Sequence, residues 1–121
     1  MTGQMHAMVG LAVLIVNLIF GVWALLVARR GGAISGLLTG GIIVGLALLL
    51  LQILAGFDLL GRGLRPAGAG LTIVHAGGPI VALIVAAALL LRPGNRAARY
   101  ATTALFTALI ALISYGIGEM G

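Results

Sequence analysis

Residues 34–57 read ISGLLTGGIIVGLALLLLQILAGF, an unbroken apolar stretch that stops at Asp58. At about 1.5 Å per residue, a helix over this stretch reaches about 36 Å, enough to cross the ~30 Å hydrocarbon core of a bilayer. Its apolar residues are continuous and do not alternate, and the run is too long for a barrel strand. The segment therefore reads as a membrane-spanning helix.

Working outward, the chain repeats this pattern on both sides. One apolar run extends from about residue 7 to 27 and ends at Arg29-Arg30-Gly31-Gly32, a second from 71 to 91 and ends at Arg92-Pro93-Gly94-Asn95, and a third from 97 to 117. The first has no basic residue before it and is longer than the apolar part of a secretory leader, so it reads as a span. The linkers 28–33 and 92–96 are short, which makes sequential helices antiparallel neighbours. Only 58–70 (DLLGRGLRPAGAG) is long and Gly/Pro-rich enough for a real loop. The expected fold is all-α: an integral membrane four-helix bundle, up-down-up-down, forming a single transmembrane domain over 1–121.

Composition agrees. The chain is 62% hydrophobic and 7% charged, with a mean hydropathy of +1.27. Soluble domains carry about 25% charged residues, so a water-soluble globule is excluded. Disorder is excluded too, since it needs low hydrophobicity. Cysteine is absent, which removes disulfides, thiolate metal sites and cysteine nucleophiles. The net charge of +5 comes from arginines scattered between apolar runs, and this pattern speaks against nucleic acid as a partner. In a membrane protein it reports orientation. Arg29, Arg30, Arg92, Arg96 and Arg99 fall on one side, Arg62 and Arg65 on the other. That bias puts the short linkers in the cytoplasm and both termini outside, as in a bacterial inner membrane protein. Trp23 and Tyr100 then fall near the inner interface and Tyr115 near the outer one.

Few residues can carry chemistry. The acids are Asp58 and Glu119, both near the outer surface. A proton-coupled transporter needs an ionisable relay at mid-depth. Small four-helix drug exporters place a glutamate in their first helix, where this chain has Asn17. No phosphate-cradling loop, nucleophile elbow or metalloprotease pair occurs, so the residues point away from an enzyme acting by itself. Asn17 reads as a hydrogen bond between helices. Gln52, near the outer end of helix 2, is expected to reach headgroups. Thr102, Thr103 and Thr107 are expected to bond back to their own helix.

Two histidines remain. His75 lies a turn inside helix 3, where an unpaired polar ring is costly. Its stripe continues through Gly78, Ala82 and Ala86. Pro79 cannot donate to the His75 carbonyl and frees the backbone there. On helix 1 the stripe from His6 runs through Gly10, Val13, Asn17, Gly21 and Ala24. The two segments, His6-Ala7-Met8-Val9-Gly10 and His75-Ala76-Gly77-Gly78-Pro79, also suggest a two-plus-two repeat. Two histidines on separate helices facing one cavity are an arrangement that holds a b-type haem. The expected site is His6 and His75 as iron ligands, with Gly10 and Gly78 making room for the cofactor.

The spacing of His6 and Gly10 resembles the four-helix membrane cytochromes of the b561 and haem A synthase type. That resemblance implies a haem-binding electron carrier. His75 departs from the pattern, since Pro79 stands at the corresponding place and Gly78 comes one residue early. A height argument opposes the pairing. From His6 to Arg29 is about 34 Å of helix and from His75 to Arg92 about 26 Å, so the rings differ in height by about 9 Å if both arginines mark one depth. Met5 or Met8 is then an alternative axial partner. The competing expectation is a cofactor-free accessory subunit of a larger respiratory or photosynthetic complex. On helix 2, Gly36/Gly40 and Gly41/Gly45 form two small-xxx-small pairs suited to close packing against another helix of the same chain, a second copy or a subunit of such a complex.

Overall fold

A computed structural model describes residues 3–63 and 69–120, with side chains at 4–63 and 73–116. Four helices form a bundle: α1 (Gly3–Arg30), α2 (Gly36–Gly61), α3 (Ala69–Leu90) and α4 (Arg96–Met120). No strand occurs among the described residues. All four helices are long and apolar enough to cross a membrane.

The helix ends follow local chemistry that the apolar runs only approximate. Ser35 caps α2 by accepting from the Leu38 amide at 3.1 Å, and Asn95 caps α4 by accepting from the Ala98 amide at 3.0 Å. At the end of α1, Gly31 adopts φ +65 and the Gly32 amide donates to the Val27 carbonyl at 3.2 Å. This is the left-handed glycine stop, open to a residue without Cβ. The expected loop 58–70 is shorter than anticipated. Asp58 remains helical, its carboxylate paired with Arg62 one turn on, and α2 continues to Gly61. The arginine supplies a partner four residues away, which an apolar-run reading does not weigh. Residues 64–68, Arg65 among them, lie outside the described residues.

The packing inverts that of a soluble protein. Buried positions are dominated by alanine, including Ala24, Ala82, Ala86, Ala101, Ala104 and Ala108, while Leu37, Ile73 and Ile84 stand well exposed. In lipid, burying a leucine gains nothing over leaving it against acyl chains. Helices instead associate through small residues that let backbones approach. The distribution therefore matches a bundle whose outer surface meets lipid.

Helix α4 organises the interior. Its Ala97, Ala101, Ala104, Ala108 and Ala111 are all buried and recur at alternating steps of four and three, the spacing of a coiled-coil seam. The facing seam on α1 is the stripe anticipated from the sequence: Gly10, Val13, Asn17, Gly21 and Ala24 are buried. A Cβ on Gly21 would lie 2.8 Å from Leu105 Cδ2 and 3.1 Å from Ala104 Cβ, so the α4 side chains close directly over this glycine. Two core layers result. Ala24, Leu38, Ile42, Ala101 and Ala104 form one towards the arginine end, and Val13, Leu49, Ala82 and Ala111 the other. Among the described residues α1 packs most widely on α4, then α3 on α4 and α1 on α2, whereas α2 meets α3 and α4 only sparsely. The most extensive contact thus joins helices that are not sequential, and α1 and α3 lie diagonally opposed.

Only half of the glycine face of α2 is used. Phe20 covers Gly41 and Asn17 covers Gly45, whereas nothing lies within 4 Å of a Cβ at Gly36 or Gly40. Both pairs look alike in sequence, but the helical rotation between them turns the first pair away from α1. Asn17 does link helices, donating to its own-helix Val13 carbonyl at 2.8 Å and to the Gly45 carbonyl of α2 at 3.3 Å.

Candidate functional site

Four helices converge at the end of the bundle opposite the arginines of α1 and α4. His6, in the second turn of α1, lies over Gly56 of α2, whose missing side chain leaves room for the ring: a Cβ there would be 3.4 Å from His6 Cε1. The Gln52 amide nitrogen donates to His6 Nε2 at 3.3 Å. Gln52 therefore turns inward, not towards headgroups as expected, because the half-buried His6 offers it a hydrogen-bond partner that acyl chains do not. The same side chain covers Gly10, where a Cβ would stand 2.9 Å from the amide nitrogen.

On the opposite helix, His75 Nδ1 lies 2.7 Å from the Ser114 carbonyl of α4. A carbonyl can only accept, so Nδ1 carries the proton and donates it. In the neutral ring Nε2 is then the nitrogen with the free lone pair. Metal-bound imidazoles are commonly held this way, the remote N–H anchored on a carbonyl and the other nitrogen presented. Gly78 permits this approach: its Cβ position is 3.2 Å from Ile110 Cγ2 and 3.4 Å from Ser114 Oγ. Helix α3 runs unbroken through Pro79.

The two imidazoles meet although their helices do not. Their ring centroids are 6.1 Å apart, with planes inclined at 67°. The rings thus stand closer than the ~9 Å offset that the arginine positions imply. Arg29 and Arg30 lie within the last turn of α1, whereas Arg92 follows the end of α3 at Leu90, so a helical rise counted back from each arginine does not start from equivalent points. Met5 and Met8 are both exposed, which leaves His6 as the α1 residue that reaches His75.

Polar satisfaction in the cluster is incomplete. His6 Nδ1 and Gln52 Oε1 are buried without a hydrogen-bond partner, a costly state in an apolar setting. Among the described residues no group of three or more His, Cys, Asp or Glu could hold a metal ion. A metal held by protein donors alone thus lacks ligands here, whereas a haem brings its own macrocycle and asks for axial side chains only.

The placement of the other polar residues is mixed. Thr102 bonds back to the Ala98 carbonyl at 2.9 Å as expected. Thr103 and Thr107 do not, and their buried hydroxyls have no partner. Both are fully buried on the inner face of α4. Ser114 was not foreseen as a site residue, because a backbone carbonyl has no side-chain signature. Gln52 was legible as a polar residue in an apolar run, but its direction was not. No known protein family, curated protein or solved structure matches the chain.

Proposed function

We propose that the chain is a membrane-embedded b-type haem protein that transfers electrons, with His75 and His6 as axial ligands in the outer half of the bundle. The observation that carries this reading is the convergence of the two imidazoles from diagonally opposed helices, one ring already oriented through its Nδ1–H. The group would supply one-electron exchange. The chain's part would be to hold the His75 ring through the Ser114 carbonyl and to present His6 Nε2, which requires the Gln52 side chain to leave it. The same departure would clear the face of Gly10. The arginine bias supports both termini outside and the short linkers in the cytoplasm.

The test is the absorption spectrum of protein expressed with ample haem. His75→Ala is expected to abolish the Soret band, and His6→Ala to leave a perturbed band shifted towards high spin. Colourless wild-type protein overturns the proposal. A second reading rests on one observation: Gln52 and Ser114 already partner the two histidines within the chain. On that reading the cluster is structural and the chain is an accessory subunit of a larger membrane complex. The open glycines Gly36 and Gly40 are then the part of α2 left for another subunit or a second copy.

A further inference from the structure

At the opposite end of the bundle, the sparse packing of α2 on α3 and α4 leaves a groove of about 390 Å³. Ile42, Ile43 and Leu46 of α2 form one wall, Leu90 closes the α3 side, and Arg96, Arg99 and Tyr100 of α4 line the rest. Arg96, Arg99 and Tyr100 are three and four residues apart and so share one helix face. Arg99 is anchored: its Nη1 donates to the Leu90 carbonyl at 2.9 Å, and its Nη2 reaches the Gly94 carbonyl at 3.5 Å. Its Nε is buried with no partner. Arg96 is exposed. Asp58, the one acid among residues with described side chains, lies near the other end of α2, paired with Arg62. No described carboxylate neutralises the arginines of the groove.

An apolar wall beside two arginines that no described carboxylate neutralises matches one ligand chemistry. We propose that the groove seats an anionic phospholipid, its phosphate on Arg96 and Arg99 and an acyl chain along Ile42, Ile43, Leu46 and Leu90. Basic pockets between membrane helices bind such headgroups. A free phosphate would satisfy the arginines but leave the apolar wall unused. The proposal is independent of the histidine cluster.

Native mass spectrometry of the full chain in detergent, titrated with phosphatidylglycerol or with phosphatidylcholine of the same acyl chains, reads the preference directly. Phosphatidylglycerol adducts are expected to dominate. Arg96→Gln should weaken them about fivefold, the effect of one arginine near an anionic headgroup. Arg96 is chosen because Arg99 also holds the end of α3. Ile43→Trp, which fills the groove from the apolar side, should weaken both lipids. Arg29→Gln and Arg30→Gln, at the end of α1 outside the groove, should leave the preference unchanged. Equal binding of the two lipids would overturn the proposal. So would an effect of Arg30→Gln as large as that of Arg96→Gln, an Ile43→Trp variant that binds as wild type, or inorganic phosphate displacing the lipid at equal concentration.

Discussion

Gly40 and Gly41 are neighbours in the middle of α2, identical in type and opposite in surroundings. A methyl group on Gly41 would fall within the van der Waals envelope of the Phe20 ring, whereas one on Gly40 meets nothing within 4 Å. Replacing either by alanine removes the same backbone freedom, worth ~0.5–1 kcal/mol in favour of the helix. That term cancels when the two variants are compared. What remains is the cost of moving Phe20, which also stacks on Trp23 at a centroid distance of 5.8 Å. Overpacking of this kind costs ~1–3 kcal/mol. Gly41→Ala is therefore expected to be less stable than Gly40→Ala by that amount, with Gly40→Ala at or above wild type. Reversible unfolding by SDS in mixed micelles, followed by circular dichroism, measures both. A double variant adding Phe20→Ala to Gly41→Ala should recover part of the loss, since residues in contact are not additive. Equal stabilities of the two alanine variants, or no coupling to Phe20, would refute the assignment of this face to α1.

Asn17→Ala removes the bonds to Val13 and Gly45 and should cost ~0.5–1.5 kcal/mol, the range of hydrogen bonds between membrane helices; the same SDS titration reads it. Thr107→Val replaces a buried, unpartnered hydroxyl by a methyl group of similar shape, and should be neutral or stabilising by up to ~1 kcal/mol; a clear loss of stability would mean the hydroxyl has a partner. Since the chain has no cysteine, single cysteines can report topology. Gln4→Cys and Gly61→Cys should react with an impermeant thiol reagent on intact cells, while Ala33→Cys and Leu91→Cys should react only after permeabilisation. The opposite pattern reverses the orientation.

The local order of this chain is written in its residues. Four runs of apolar residues longer than a bilayer is thick leave helices as the one way to satisfy every backbone group, so the fold class followed from hydropathy alone. The α1 stripe from Gly10 to Ala24 was legible because small residues at helical spacing mark where backbones touch. The alanine seam of α4 obeyed the same rule and could have been read from its alternating steps of four and three. Boundaries were less legible, since Asp58 stays helical through an ion pair with Arg62 and not through hydropathy.

What only tertiary structure decided is which faces meet. Two glycine pairs of α2 are equivalent as sequence, yet one lies under Phe20 and Asn17 and the other is open. Arginine positions suggested that His6 and His75 lie too far apart in height, but their rings are brought to 6.1 Å because the fit of the helix surfaces sets how the helices are shifted. Gln52 and the Ser114 carbonyl entered the site for the same reason. Helical periodicity fixes a residue's angle about its own axis, whereas the relative rotation and shift of two helices depend on how their surfaces fit, and no single segment contains that information.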